Sequence, residues 1–283
     1  MVYSSRRLYK ITQKEKGEYK FMIALCDIIS NEKMTDDYNI YSMIFDAPRI
    51  AKIAKPGQFV HIKCGELTLR RPISIASVQD GKIRICYDVR GEGTTWLSGL
   101  KSGDKIDIIG PIGKGFDISD ISKKVLLVGG GIGIYPLYSV AEKYRENSIT
   151  VLGFRTKGLI TFEKEFKDCG SQLHIATDDG SYGQKGYAIE IVKEILDNKE
   201  NKIDIIMTCG PKIMMRGIAL EAQKRGIRCQ VSMEERMACG IGACLACTCK
   251  IKPADGDDFT NKRVCIDGPV FEIGDGNEVD WEW

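Results

Sequence analysis

The sequence predicts a β plus α/β fold class: an N-terminal antiparallel β-barrel, a doubly wound parallel α/β domain and a small cysteine-rich C-terminal module. Three observations carry that expectation. Short β-rich runs broken by Gly and Pro fill the chain from about residue 21 to residue 110. Beyond Ile121 the texture becomes strand, glycine loop and helix in alternation, the pattern of a parallel sheet. From Met233 onward Cys and Gly are frequent and hydrophobic periodicity fades. The expected boundaries are 1–118, 119–232 and 233–283.

In the first unit, strands are expected at 19–26, 39–45, 58–64, 82–87 and 105–109. Pro56-Gly57, Asp80-Gly81, Gly91-Glu92-Gly93 and Ser102-Gly103 supply turns between them, and nothing reads as a long helix, as suits a small barrel. In the second unit, strands at 125–128, 149–154, 173–177, 203–208 and 227–231 alternate with helices near 136–145, 188–196 and after Pro211. The third unit needs something other than a hydrophobic core to hold it. Met1 to Glu18 form an N-terminal extension with no assigned role.

At 283 residues the chain exceeds one ordinary domain of roughly 100–200 residues. Its 41 basic and 39 acidic residues nearly cancel, so no net field draws nucleic acid or an anionic membrane surface. The longest apolar stretch, 125–138, is interrupted by four glycines and a proline and is shorter than the roughly 20 residues that span a bilayer. No apolar signal segment follows the N-terminus, so the expected location is the cytoplasm.

Eleven cysteines in so large a chain without a signal segment do not read as a disulfide scaffold. Six are scattered among apolar or strand-like neighbours, whereas Cys239, Cys244, Cys247, Cys249 and Cys265 fall within 27 residues. Cys239-x4-Cys244-x2-Cys247 followed by Cys265 is the plant-type spacing of a [2Fe–2S] cluster. Gly240-Ile241-Gly242-Ala243 between the first two ligands is small enough to curl and aim N–H groups at sulfur. The alternative is a structural zinc site, whose ligands come as two separated pairs. Cys265 is expected as the fourth ligand. Cys249 is its rival; an extended segment is expected to turn its thiol away from Cys247 and leave it free near the site.

Gly129-Gly130-Gly131-Ile132-Gly133 follows an apolar strand and opens a helix, which places N–H groups where a pyrophosphate can sit. Pro136 stands where the usual fingerprint has its third glycine, a position compatible with a first helical turn. A strand-to-helix turn with no ligand would use the same glycines. Two more strand ends point to the same crevice, Cys209-Gly210-Pro211 and Thr177-Asp178-Asp179-Gly180. Cys209 alone would equally suit a small buried thiol. Arg155 and Lys157 stand where an acid often meets the adenosine ribose of NAD, which leaves NAD and NADP both open.

In the barrel half, Arg70-Arg71-Pro72-Ile73-Ser74 and Gly91-Glu92-Gly93-Thr94-Thr95 have no evident packing purpose. Arginine before a proline-fixed extended segment can hold a phosphate, with a serine hydroxyl placed for a planar ring. The second stretch offers glycine N–H groups and threonine hydroxyls to the same phosphate. A surface arginine and a plain turn would explain either one taken alone.

Taken in order, Pro56-Gly-Gln-Phe59, Arg71-Pro-Ile-Ser74, Gly91-Glu-Gly-Thr94, Gly110-Pro-Ile-Gly113, Gly129-Gly-Gly-Ile-Gly133 and Cys209-Gly-Pro211 resemble the ferredoxin–NADP reductase superfamily. With Met233-Glu-Glu-Arg-Met237, the cysteine module and Val264-Cys-Ile-Asp-Gly-Pro-Val270, the chain resembles the electron-transfer subunits of dihydroorotate dehydrogenase B over about residues 20–272. The resemblance implies FAD on the barrel, NAD(P) on the α/β domain and a [2Fe–2S] cluster at the C-terminus. It implies Arg71 on the FAD pyrophosphate, Ser74 at the isoalloxazine edge, and Gly93 and Thr94 on the phosphates. Pro72, Ile73, Gly91 and Thr95 join the flavin contacts; Gly130, Gly131, Gly133, Asp178 and Gly210 join Cys209 at the dinucleotide; Ser74 and Cys209 are the expected catalytic positions. It also implies an FMN-containing, dihydroorotate dehydrogenase-like partner in a hetero-oligomer. Arg155, the long insert at 252–263 and the N-terminal extension depart from the family pattern.

A nicotinamide exchanges two electrons as hydride and a cluster takes them singly, so a flavin must convert between them. The expected route runs from cluster to FAD to NAD(P)+, with the organic substrate on the partner. One alternative is the same chemistry in another NAD(P)-linked reductase or bifurcating complex. The other is a redox sensor or scaffold without turnover.

Overall fold

The computed structural model describes residues 10–15, 18–274 and 276–282, with side chains from residue 21 onward. Of the N-terminal extension, 1–9 and 16–17 lie outside the described residues. Strands β1 (Lys10–Glu15), β2 (Glu18–Lys33), β3 (Ile40–Asp46), β4 (Phe59–Ile62), β5 (Arg71–Gln79), β6 (Lys82–Asp88) and β7 (Lys105–Ile112) form an antiparallel sheet in the order β1-β2-β3-β6-β5-β4-β7. β2 also pairs with β7, so β2 to β7 close into a six-strand barrel and β1 is an added strand on β2. Val60 and Ile62 of β4 face the barrel core with Ile73, Ile75, Ile83 and Ile108, while Phe59 packs outside it. Strand alternation therefore puts His61 on the outer face with Phe59.

Two short helices belong to this half, α1 (Pro48–Ala51) and α2 (Glu92–Ser98). Residues 71–77, where no strand was expected, are part of β5, with Ile73 and Ile75 buried in period two. Pro72 is tolerated because it sits near the start of the strand. Gly91-Glu92-Gly93, expected as a turn, is the N-cap and first residues of α2.

The second half runs β8 (Val125–Gly130), α3 (Ile134–Tyr144), β9 (Ser148–Phe154), α4 (Glu163–Asp168), β10 (Gln172–Thr177), β11 (Gln184–Lys185), α5 (Ala188–Asp197), β12 (Ile205–Cys209), α6 (Lys212–Lys224) and β13 (Arg228–Ser232). Side chains from alternate positions of β8 go to opposite layers. Val125 and Leu127 meet Leu137 and Val140 of α3 and Phe166 of α4, while Leu126 and Val128 meet Ile191 of α5 and Ile218 of α6. This is a doubly wound sheet, and its strand order reverses between β8 and β12.

The cysteine module adds β14 (Thr248–Lys252), β15 (Thr260–Arg263), β16 (Val270–Ile273) and β17 (Glu278–Val279). The insert at 252–263 forms the turn and the second strand of the β14–β15 hairpin. β16 pairs antiparallel with β13 and so extends the α/β sheet, order β11-β10-β9-β8-β12-β13-β16. At the junction, Lys114 N–H donates to the Gly268 carbonyl at 2.5 Å, and Arg228 binds Asp117 at 2.9 Å and Glu272 at 2.7 Å.

Candidate functional site

One cleft of about 250 Å³ lies where the three units meet. The barrel lines it with Phe59, Arg71, Pro72, Ile73, Ser74, Arg90 and Thr94. The glycine loop contributes Ile132, the end of β13 contributes Ser232 to Glu235, and the cysteine module contributes Met237, Val264 and Pro269. Phe59 stands opposite Ser74 in the β4–β5 ladder, so apolar surface and hydroxyl are held side by side.

Arg71 lies across Gly93: an added Cβ there would stand 2.5 Å from its Nε and 2.8 Å from its Cζ. The missing side chain thus leaves room for a guanidinium next to the start of α2, a pairing suited to a phosphate. Thr94 lines the cleft and also shapes the helix start. Its hydroxyl accepts from the Arg90 and Gly91 N–H groups at 2.9 and 3.2 Å and donates to the Gly91 carbonyl, so it caps α2. Thr95 is exposed and does not line the cleft.

Gly130 and Gly133 meet Gly210 at the switch point between β8 and β12. An added Cβ on Gly133 would stand 2.5 Å from the Cys209 carbonyl carbon and 2.6 Å from the Gly210 nitrogen; on Gly210 it would stand 2.9 Å from the Gly130 nitrogen. Gly131 is exposed with nothing near that position, which leaves its backbone open to a ligand. The Cys209 thiol is buried among apolar side chains, and burial pushes it well above the usual thiol range. Its backbone carbonyl borders Gly133. Asp178 is exposed at the end of β10, two strands from β8, and does not line the cleft.

The four expected cluster cysteines form two pairs. The Cys239 N–H points to Cys244 Sγ at 3.5 Å, and the Cys247 thiol stands near enough to Cys265 to raise it. Among the described residues no three Cys, His, Asp or Glu gather round one point as a single metal ion requires. The four-residue gap between Cys239 and Cys244, followed by the two-residue gap to Cys247, suits a two-iron cluster with four thiolates and is poor spacing for zinc. Gly240 and Gly242 have φ of +70° and +81°, which curls the loop so that the Ile241 N–H reaches Cys239 Sγ at 3.4 Å. Burial opposes ionisation of Cys239, but N–H groups from Ile241, Cys244 and Ala243 and the Cys244 thiol outweigh it and bring the thiol down to about 7. Burial and the neighbouring Cys247 thiol push Cys265 up to about 12. These residues fit a [2Fe–2S] cluster.

Cys249 is buried on β14. The reason expected for its thiol to turn away from Cys247 was wrong, since residues two apart on a strand share a face. In the structure Cys249 lies on β14 opposite Lys262, and Cys247 immediately precedes that strand.

His61 was missed by sequence reasoning. It is fully buried on β4, and neither ring nitrogen has a hydrogen-bond partner among the described residues. Burial, then the Arg70 charge, lower it to about 4, so the ring is neutral.

The chain matches the family model described as the iron-sulfur cluster binding domain of dihydroorotate dehydrogenase B over residues 234–277. It is 41% identical over 246 residues to the dihydroorotate dehydrogenase B (NAD(+)) electron transfer subunit of Caldanaerobacter subterraneus subsp. tengcongensis, covering 86% of this chain and 94% of that protein. It is 40% identical over 247 residues to the subunit of the same name from Bacillus cereus strain G9842, covering 84% and 92%. Among solved structures it is similar to a chain from work on flavin-based electron bifurcation in the NADH-dependent reduced ferredoxin-NADP oxidoreductase. That match has a TM-score of 0.78 and 35% identity over 92% of this chain and 91% of the other.

Proposed function

We propose, from the premise that this chain belongs to the family of dihydroorotate dehydrogenase B electron-transfer subunits, that it carries electrons from a catalytic partner to NAD+. The cofactors are a [2Fe–2S] cluster, FAD and NAD+, and the reaction served is oxidation of dihydroorotate to orotate in pyrimidine biosynthesis. The observation that carries this reading is the shared cleft, in which barrel, glycine loop and cysteine module each supply part of the wall. When bound there, FAD supplies exchange of hydride with nicotinamide and of single electrons with the cluster.

The chain's own residues do the positioning. Arg71, with room made by Gly93, holds the flavin phosphates, and Ser74 beside Phe59 presents a hydroxyl to the ring edge. Gly130, Gly131, Gly133 and Gly210 let a dinucleotide approach the backbone at the switch point, and Cys209 contributes through its main chain. Asp178 serves the outer part of the dinucleotide. Cys239 with Cys244, and Cys247 with Cys265, hold one iron each. The three units are accounted for by three cofactors, so the organic substrate and an FMN belong to the partner. No helix among the described residues is long and apolar enough to cross a membrane, and we place the complex in the cytoplasm.

A second reading keeps this electron route but places the chain in an electron-bifurcating reductase, because the 35% identical solved structure comes from such work. Anaerobic purification of the chain with its natural partners separates the two. FAD, about two irons per chain and a co-purifying FMN-containing dihydroorotate oxidase are expected; a different flavoprotein partner would move the substrate, and absence of both cofactors would sink the function.

A further inference from the structure

His61 is a buried polar side chain placed where two redox sites approach each other. Through its backbone it is paired with Pro72, which lines the flavin cleft, and it shares an outer strand face with Phe59, which lines it too. From the other side the cluster loop closes on the ring. An added Cβ on Gly240 would stand under 3.0 Å from Nδ1 and 3.1 Å from Cε1, and Gly240 directly follows the ligand Cys239. The backbones of Arg70 and Cys239 approach the imidazole without completing a hydrogen bond, so both ring nitrogens remain unpartnered among the described residues. Arg70 is tied elsewhere, donating to the His61 carbonyl at 3.2 Å and to Asp107 at 2.8 Å. A neutral imidazole always carries one N–H donor, and burying it without an acceptor is unfavourable.

We propose that His61 is a positioning residue of the electron route, its ring N–H held for a sulfur acceptor at the Cys239 end of the [2Fe–2S] cluster. Reduction adds negative charge to the cluster, and a hydrogen bond to its sulfur stabilises that charge and raises the reduction potential. The barrel thereby sets the potential of a cluster held by another unit of the fold, at the point where electrons pass towards the flavin. The inference rests on the cluster assignment under the proposed function.

The test uses the full chain in its complex. Only two histidines occur in the sequence, and the other, His174, lies on β10 in the α/β sheet, so labelling histidine with 15N isolates His61. Pulsed EPR of the reduced cluster in the labelled wild-type protein is expected to show a weakly coupled histidine nitrogen. Redox titration is then expected to show a reduced-to-oxidised ratio about tenfold lower in His61→Leu at fixed potential, a shift of about 59 mV for a one-electron couple. His61→Gln, which keeps an N–H donor, should recover most of that shift. Full iron with no histidine coupling in the wild type would overturn the inference and leave the cluster assignment intact, as would an unshifted potential in His61→Leu. Equal shifts in both variants would trace the effect to packing and overturn it too. Absence of iron and sulfide from the wild type would overturn the assignment and this inference with it.

Discussion

Gly93 and Cys244 matter for opposite reasons, one through an absent side chain and one through a reactive atom. Gly93→Ala would place a methyl group on the Arg71 guanidinium, and Arg71→Ala would remove that group. A hydrogen bond to a charged partner contributes about 1.5–3 kcal/mol, so each variant should weaken FAD binding by roughly 10- to 150-fold. Flavin fluorescence titration of the deflavinated chain measures this, and an unchanged affinity would show that Arg71 does not touch the phosphates. Cys244 is exposed, so Cys244→Ser costs little in packing, yet it removes a thiolate from one iron. Iron content should fall well below the wild-type value while FAD stays bound; full iron in this variant would refute the ligand assignment. The cluster motif was legible because cluster chemistry fixes the spacing of its thiolates, whatever surrounds them. His61 was not legible, since a histidine in Gln58-Phe-Val-His-Ile62 reads as an ordinary strand residue until Gly240 is seen against its ring.

Among the elements, β8, α3 and β12 set the dinucleotide crevice, and their spacing depends on Gly133. Here an added methyl group meets main chain, the Cys209 carbonyl carbon at 2.5 Å and the Gly210 nitrogen at 2.6 Å, and a strand in a seven-strand sheet cannot rotate away as a side chain can. Overpacking of this kind costs about 1–3 kcal/mol. Gly133→Ala should therefore lower the melting temperature by several degrees, at about 2–4 °C per kcal/mol for a chain of this size. It should also reduce NADH oxidation with an artificial acceptor while leaving FAD content unchanged. Loss of FAD instead would mean that the two cofactor sites are not separable at this element. The α/β strands and their long helices were legible because apolar runs and glycine loops repeat in order. β5 was not expected as a strand because Arg70-Arg71-Pro72 hides the alternation that Ile73 and Ile75 resume. α4 was missed because its sequence, Glu-Lys-Glu-Phe-Lys-Asp, carries one buried residue, Phe166, and no period can be read from one point.

For the whole molecule, the cleft exists only while three units hold a fixed arrangement, and the Arg228 cluster is one of the ties. Arg228 on β13 binds Asp117 in the segment after the barrel and Glu272 on β16 beyond the cluster, at 2.9 and 2.7 Å. The Asp117 amide N–H also donates to Gln230 Oε1 at 3.0 Å, and Gln230 Nε2 donates to Glu272 at 2.9 Å. Hydrogen bonds from Ser119, then the Arg228 guanidinium, hold the Asp117 carboxyl down at about 2. Its folded pKa lies below the unfolded value, so its contribution to stability is fully present above about pH 3.9 and is lost as pH falls towards 2. The Asp117 and Arg228 side chains are each 37% exposed, so solvent screening limits the contribution to under about 1 kcal/mol. Asp117→Asn should thus be slightly less stable than wild type in urea at neutral pH, and the gap should close as both are taken below pH 3. Comparing the two proteins cancels acid losses common to both, including any loss of the cluster. A gap that persisted or widened in acid would show that Asp117 acts through its shape and not its charge. In that case the junction would be held by the β13–β16 ladder and the Lys114–Gly268 bond, and the arrangement of the cleft would owe little to ion pairing.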